Sequence, residues 1–140
     1  MNDRQFGPRL TGDGAQFRLW APAAKRVDVL LDEPHAMKRD GDGWFTADIA
    51  GVRAGARYKF RIDDEIDVPD PASALQPDDV FDPSEVIDHE AYPWRAANWR
   101  GRPWQAAVIV EAHVGTFTKD GSYRAMIDRL DHLVETGITA

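Results

Sequence analysis

The fold of the first half of the chain is set by a short alternating run, Gly14-Ala15-Gln16-Phe17-Arg18-Leu19-Trp20. Phe17 and Leu19 alternate with Gln16 and Arg18, and a period of two places such residues on opposite faces of a strand. The same alternation returns at further positions before residue 63: Val27, Val29 and Leu31; Phe45, Ala47 and Ile49; Tyr58, Phe60 and Ile62. Turns rich in glycine, aspartate and proline separate these runs, and no helical pattern lies between them. The sequence therefore predicts an antiparallel β-sandwich over residues 1–67.

Composition narrows the class of protein. The chain has 140 residues, a formal net charge of −7 and no cysteine. A strongly acidic chain is a poor partner for nucleic acid or for an anionic membrane surface, because both attract basic patches. The absence of cysteine fits a reducing compartment, and no apolar stretch approaches membrane-spanning length. We expect a cytoplasmic protein that binds neither nucleic acid nor membrane.

The strand pattern dissolves in the segment 68–105. Prolines recur there, several of them after an aspartate, and each removes a backbone donor and disfavours helix before it. The segment also carries Phe81, Tyr92, Trp94, Trp99 and Trp104, which makes free disorder a poor interpretation. A long irregular segment in a compact protein is usually functional or wrapped over a surface. We predict an ordered connector, fixed by aromatic side chains between two domains.

The last part of the chain, residues 106–140, changes character again. Residues 108–117 read Val-Ile-Val-Glu-Ala-His-Val-Gly-Thr-Phe, an apolar β-branched run typical of a strand buried on both faces of a parallel sheet. A helix is predicted next: Ser122 can cap it, an apolar stripe recurs from Tyr123 to Val134, and Gly137 suits a C-terminal cap. Residues 138–140 look like the entry to another strand. Strand, helix and strand entry form one unit of an alternating α/β domain.

Several separated motifs resemble a known family. Residues 17–22 (Phe-Arg-Leu-Trp-Ala-Pro) with Val27-Asp28-Val29 are similar to the N-terminal immunoglobulin-like, early-set sandwich of α-amylase-superfamily enzymes (glycoside hydrolase family 13), which is grouped with carbohydrate-binding module family 48. Other segments resemble the malto-oligosyltrehalose trehalohydrolase family: residues 68–73, Gln76-Pro77, residues 99–103, residues 111–118 and residues 129–133. Around the predicted barrel strand the chain departs from relatives at Val110 and Ala112, which leaves the packing there in question.

The resemblance implies an activity and an architecture. That family releases trehalose from maltooligosyl trehalose by hydrolysing the adjacent α-1,4-glucosidic bond, in a (β/α)8 barrel that follows the sandwich. Residues 106–140 would then be the first strand–helix unit of a truncated barrel, with the remainder of the barrel as its partner. Retaining glycosidases need two carboxyl groups about 5–5.5 Å apart, and no motif in this chain matches that pair. We therefore assign no catalytic residue, no cofactor and no metal, and expect the 140 residues to be inactive alone.

Two pairs of residues are candidate site residues. Glu111 and His113 lie two apart on one face of the predicted strand, and residues at such strand ends often join the site of a barrel enzyme. We interpret them first as a hydrogen-bonded structural pair at the barrel mouth and second as substrate-side support. A catalytic or metal-binding role ranks last, because two ligands are too few for a closed metal site. Trp20 and Trp44 could stack on glucose rings of an α-glucan, although aromatics beside strands are more often core. The acidic cluster around Asp63 and Asp64 lacks the spacing of a calcium loop and indicates a turn.

A second function class stays open. The chain could be a stand-alone glycan-binding or protein-docking module, in which the final strand–helix packs on the sandwich. If the chain is part of a glycoside hydrolase, the α-glucan is the substrate of the complete enzyme. If the chain is a stand-alone module, the module itself binds the glucan or docks on a protein.

Overall fold

A computed structural model describes residues 6–96 and 98–140. Two antiparallel sheets make up the first part of the chain. One sheet has the strand order β1-β2-β6-β5; the other has the order β4-β3-β7-β8, with β9 also paired to β7. The strands are β1 (Arg9–Leu10), β2 (Gly14–Trp20), β3 (Val27–Leu30), β4 (Pro34–Ala36), β5 (Lys38–Arg39), β6 (Trp44–Ala50), β7 (Arg57–Ile62), β8 (Ile66–Val68) and β9 (Ser84–Glu85). The predicted mostly-β antiparallel architecture is confirmed.

The core consists of the apolar faces that the alternating pattern predicted. Phe17, Phe45 and Phe60 are fully buried, as are Val27 and Val29 of the same cluster. Phe17 and Tyr58 meet edge to face at 5.0 Å between ring centroids, and Tyr58 meets Phe60 in the same way at 5.7 Å. Edge-to-face geometry is a favoured arrangement of aromatic pairs. The two sheets therefore share one aromatic and aliphatic core.

The hairpin between β7 and β8 turns at Asp63 and Asp64. Both have positive φ angles, 52° and 61°, and Glu65 N donates to Ile62 O at 3.0 Å. Asp63 and Asp64 are the two left-handed residues of the three-residue loop between the paired Ile62 and Ile66, and aspartate tolerates this region better than most residues. The Asp63 carboxylate accepts bonds from Lys25 N at 2.7 Å and Arg26 N at 2.8 Å. The acidic cluster is thus a turn here, as its composition predicted.

The sandwich extends past residue 67, the boundary predicted from the sequence. Asp70, Ser84 and Val86 are buried, and β9 pairs with β7. Val86 N also donates to Ala56 O at 2.9 Å. The two compact units of the chain divide between Pro93 and Trp94. The proline-rich segment is therefore split: its first half adds backbone bonds and buried side chains to the sandwich, which proline content alone did not reveal.

The second unit is built from short helical elements. It contains a 3₁₀ turn (Trp104–Ala106) and three helices, α1 (Val114–Phe117), α2 (Tyr123–Ile127) and α3 (Leu130–Glu135). The predicted strand over residues 108–117 is wrong in its second half, because Thr116 N and Phe117 N both donate to His113 O and form a helical turn. The predicted single helix from Tyr123 is broken at Asp128 and Arg129. Its stripe lacks the tertiary packing that usually stabilises helices of this length.

Both predicted caps of this helical region are present. The Ser122 hydroxyl accepts from Ala125 N at 3.2 Å at the start of α2. At the end of α3, Gly137 has φ +86°, Gly137 N donates to Val134 O, and Ile138 N donates to Leu133 O. That pair of bonds is the Schellman pattern of a glycine-ended helix.

Residues 108–110 and 139–140 pair locally although no strand is assigned to them. Ala140 N donates to Val108 O at 3.2 Å, and Val110 N donates to Ala140 O at 2.9 Å. Ala140 thus bonds to the two residues on either side of Ile109, which is the pattern of a single parallel bridge between Ala140 and Ile109. In the described part of the chain, no helix is long and apolar enough to cross a membrane.

Candidate functional site

Trp20 and Trp44, predicted as glycan contacts, lie opposite each other in the β2–β6 pairing. Trp20 is 56% exposed and its Nε1 donates to Asp42 O at 3.2 Å. Trp44 is half-buried: its ring lies 5.2 Å from that of Phe6, and the Arg18 guanidinium sits 4.4 Å from its centroid. Trp44 is therefore engaged by neighbouring side chains, whereas Trp20 keeps much of its surface open.

A hollow opens beside Trp20, and we call it the Trp20 hollow. Its volume is about 410 Å³. Apolar surface predominates, and Arg18 contributes the cationic group. It is lined mainly by Phe6, Arg18, Trp20, Asp70, Pro71 and Ala72. Three stretches that are distant in sequence, residues 6, 18–20 and 70–72, thus meet at one place on the sandwich.

Arg18 was not predicted as a site residue. It lies on the polar face of β2, where its guanidinium stacks over Trp44. Within the described residues no carboxylate pairs with it. A cation over an indole is stabilised by the ring quadrupole. The N–H groups of the guanidinium lie in its own plane and keep their capacity to donate hydrogen bonds. In the sequence Arg18 is a cationic residue two positions before Trp20 on the polar face of the predicted strand, which did not single it out.

A buried polar cluster fixes one wall of the hollow. The Asp70 carboxylate accepts from the Tyr58 hydroxyl at 2.6 Å and from Ala72 N at 2.7 Å, while Asp70 N donates to Ser84 Oγ at 3.0 Å. Burial raises the pKa of Asp70, and the bonds from Tyr58 and Ala72 act in the opposite direction. Burial and the nearby Asp70 charge raise the pKa of Tyr58. The cluster is satisfied internally, so it shapes the site and does not offer it a reactive group.

Glu111 and His113 lie in the second unit, and both are exposed. His113 is the N-cap residue of α1, and its imidazole lies against Gly115, where an added Cβ would come within 3.0 Å of His113 Cε1. Neither side chain makes a hydrogen bond to any residue that the structure describes. The structure therefore does not bring them together as a bonded pair.

Other candidate ligands and aromatics are not gathered into a site. Across residues 6–96 and 98–140, no group of three or more histidine or acidic side chains could hold a metal ion. Trp94, Trp99 and Trp104, which we expected to fix the connector, are mostly exposed. The sequence pattern did not reveal which residues these three tryptophans pack against.

The two antiparallel sheets define the class of the first unit, a β-sandwich module. The chain belongs to the family of carbohydrate-binding module 48 (isoamylase N-terminal domain), whose model matches residues 5–83. The resemblance to malto-oligosyltrehalose trehalohydrolases is confirmed. The protein of that name from Saccharolobus solfataricus is 41% identical over 137 residues, 96% of this chain and 24% of its own. The one from Mycobacterium tuberculosis (strain CDC 1551 / Oshkosh) is 43% identical over 129 residues, 88% and 22% respectively.

Solved structures agree with this placement. The crystal structure of a putative alpha amylase from Salmonella typhimurium matches with a TM-score of 0.82 and 43% identity, over 97% of this chain and 24% of that one. Pullulanase from Paenibacillus barengoltzii, solved with maltotriose, matches over 63% of this chain and 15% of its own at 23% identity and TM-score 0.56, which shows the fold alone. This chain spans about a quarter of the length of its trehalohydrolase relatives.

Proposed function

We propose that the chain is the N-terminal region of a glycoside hydrolase that releases trehalose from maltooligosyl trehalose by hydrolysing the adjacent α-1,4-glucosidic bond. The observation that carries the proposal is the extent of the similarity to trehalohydrolases: it covers 96% of the chain, well past the sandwich family match that ends at residue 83. A module shared by many glucan-acting enzymes would account for the sandwich alone. Similarity through residues 84–140 supports the particular enzyme.

We propose further that residues 106–140 form the first strand–helix unit of a (β/α)8 barrel, joined to the sandwich by a connector. The parallel bridge between Ile109 and Ala140 supports this, because a strand, a helix and a parallel neighbour form a βαβ unit. Apolar side chains that such a barrel would cover are exposed: Ile109, Tyr123, Ile127, Leu130 and Val134. The remainder of the barrel is the partner this surface needs.

The 140 residues should not hydrolyse the substrate unaided. A retaining mechanism requires an acid and a nucleophile about 5–5.5 Å apart across the bond, and no motif of this chain matches the family's pair. Glu111 and His113, at the mouth of the proposed barrel, would support the substrate and take no part in bond cleavage. Maltooligosyl trehalose, an α-glucan derivative, is the proposed ligand of the complete enzyme.

A chimeric enzyme tests the proposal. Residues 1–140 replace the matching 24% of the Saccharolobus solfataricus relative, and trehalose release from maltooligosyl trehalose is measured. We expect release by the chimera and none by the 140-residue chain. The proposal fails if a folded chimera splits other α-1,4-glucans but releases no trehalose.

The role of His113 is tested in the same chimera. His113→Ala should lower kcat/KM and leave the thermal midpoint in place, because the imidazole is exposed and its removal leaves no buried group unpaired. His132→Ala, at an exposed histidine of α3, is the matched control and should change neither quantity. Unchanged kinetics for both variants would remove His113 from the site.

A stand-alone module that binds α-glucan is the second candidate function. The exposed indole of Trp20 favours it, since aromatic faces can stack on sugar rings, and Trp44 could add to the same contact. Calorimetric titration of the 140-residue chain with maltoheptaose tests it, with Trp20→Ala as the probe and Trp99→Ala, an exposed tryptophan of the second unit, as control. Binding that only Trp20→Ala abolishes would support the module; absence of heat at millimolar ligand would exclude it.

A further inference from the structure

We propose that Gly115 is a positioning residue for the trehalose-releasing reaction, because the space left by its missing side chain accommodates the His113 imidazole. The inference rests on the first proposed function, in which His113 supports the substrate at the mouth of the proposed barrel. It adds that the place of the imidazole depends on a glycine two residues further along the chain. The role of Gly115 is indirect, since it acts through His113 and not on the substrate.

The backbone of His113 is fixed by three hydrogen bonds. Its carbonyl oxygen accepts from Thr116 N at 3.0 Å, from Phe117 N at 2.9 Å and from the Thr116 hydroxyl at 3.3 Å. As the N-cap residue of α1 it has extended dihedral angles, φ −82° and ψ 114°. These bonds fix the direction in which the side chain leaves the backbone, but its rotamer depends on the neighbours of the ring. The position of the imidazole is therefore decided by what lies against it.

The neighbour of the imidazole is Gly115. A Cβ added there would lie 3.0 Å from His113 Cε1 and 3.3 Å from His113 Nδ1, which is tighter than ordinary van der Waals contact. The ring thus occupies space that any other residue at 115 would fill with its own side chain. Among the residues that the structure describes, the imidazole has no hydrogen-bond partner. Its contact with Gly115 is therefore the interaction that sets its place.

A second glycine, Gly121, lies against Gly115 from the loop that follows α1. Gly121 N donates to Thr118 O and to the Thr118 Oγ1, both at 3.2 Å. A Cβ at Gly121 would lie 2.9 Å from Gly115 O, and its φ of +59° favours glycine. The two glycines differ in what an added methyl group would meet. At Gly121 it meets backbone, which cannot yield, whereas at Gly115 it meets the end of an exposed side chain, which can.

Gly115→Ala should therefore move the imidazole without damaging the fold. The φ angle of Gly115 is outside the left-handed region, and alanine favours a helical turn over glycine, so the thermal midpoint should stay or rise. The displaced ring should support the substrate less well. We expect KM to rise by the same factor as in His113→Ala, within the roughly 100-fold that a misplacement of about 1 Å can cost.

Trehalose release by the chimera tests the inference, with kcat and KM determined separately. A variant that merely misfolds lowers the concentration of active enzyme and hence kcat, whereas lost support of the bound substrate raises KM. The double variant His113→Ala/Gly115→Ala should match His113→Ala alone, because the ring through which Gly115 acts is gone. Gly41→Ala, whose Cβ would meet nothing within 4 Å, is the matched control and should change neither KM nor the midpoint. Gly121→Ala should lower the midpoint.

An unchanged KM for Gly115→Ala beside a raised KM for His113→Ala would overturn the proposal, and so would additive effects in the double variant. A nuclear Overhauser effect between His113 Hε1 and Gly115 Hα tests the place of the ring without any activity. It is measured in the 140-residue chain at a concentration where light scattering shows a monomer, and its absence would overturn the positioning role. Its presence, together with a chimera that releases no trehalose, would uphold the placement of His113 by Gly115 and reject only the proposed reaction.

Discussion

At the residue scale, one buried hydroxyl holds the edge of the sandwich together. Tyr58 OH donates to Asp70, whose backbone N–H donates to Ser84, so β7 and the proline-rich segment are joined through three side chains. The sequence indicated Tyr58 as a core residue through its alternation, and that is confirmed. It gave no sign that Asp70 is buried, because an aspartate before a proline usually marks an exposed turn.

Tyr58→Phe should destabilise the chain by about 1–3 kcal/mol, the usual cost of leaving a buried group without its bond. The phenyl ring keeps the edge-to-face contacts with Phe17 and Phe60, so only the hydroxyl is tested. Urea unfolding measures the change, and Tyr123→Phe, at an exposed tyrosine, is the control. Equal stability of both variants would show that Asp70 is satisfied without Tyr58.

Asp63 makes part of the stability of the chain dependent on pH. Bonds from Arg26 N and Lys25 N lower the pKa of its carboxyl below the ordinary value of 3.8. A carboxyl with a lowered pKa in the folded state stabilises the fold above its unfolded pKa and loses that effect as pH falls through the folded pKa. Asp63→Asn keeps an acceptor and the turn geometry, so it should flatten the loss of stability below about pH 4. Urea unfolding at neutral and acid pH would reveal this; parallel curves would contradict it.

At the element scale, the β2–β6 pairing depends on a glycine. A Cβ at Gly14 would lie 2.0 Å from Ile49 O, which is too close for the paired backbones to keep their spacing. Gly14→Ala should therefore cost about 3 kcal/mol or more. Gly12→Ala is the matched control, since its Cβ would meet nothing within 4 Å. Thermal unfolding compares the two, and similar midpoints would mean that β2 shifts without penalty.

The elements of the sandwich were predictable from sequence, and those of the second unit were predictable only in part. Alternation specifies which side chains are buried, so the faces bearing Phe17, Phe45 and Phe60 were correct. The caps at Ser122 and Gly137 are local and were also correct. The strand over residues 108–117 was wrong in its second half, because a parallel strand is stabilised by neighbours on both sides and by helices.

The candidate site was less predictable than the fold. Trp20 could be singled out as an aromatic beside a strand end, but its partners come from residues 6 and 70–72, far away in sequence. Arg18 looked like an ordinary polar-face residue until its position over Trp44 was known. Contacts between distant segments depend on register and on turn geometry, which one sequence does not reveal.

At the scale of the whole molecule, the two units differ in how many of their side chains are buried. The sandwich has a buried core, whereas every described residue from Trp94 to Ala140 is exposed or half-buried. Exposed apolar stripes and unpaired strand edges promote association. The 140-residue chain should therefore self-associate as concentration rises, and residues 1–93 should stay monomeric. Light scattering checks this; a monomer at high concentration for the longer chain would contradict it.

The most direct test of the proposal that the sandwich precedes the first strand–helix unit of a (β/α)8 barrel is hydrogen exchange in the 140-residue chain and in the chimera. Amides of β2 and β6 should be protected in both proteins, because their bonds belong to a complete core. Amides of α2 and α3 should exchange rapidly in the short chain and become strongly protected in the chimera, where the proposed barrel would cover their apolar stripe. Strong protection of α2 and α3 already in the short chain would contradict the account.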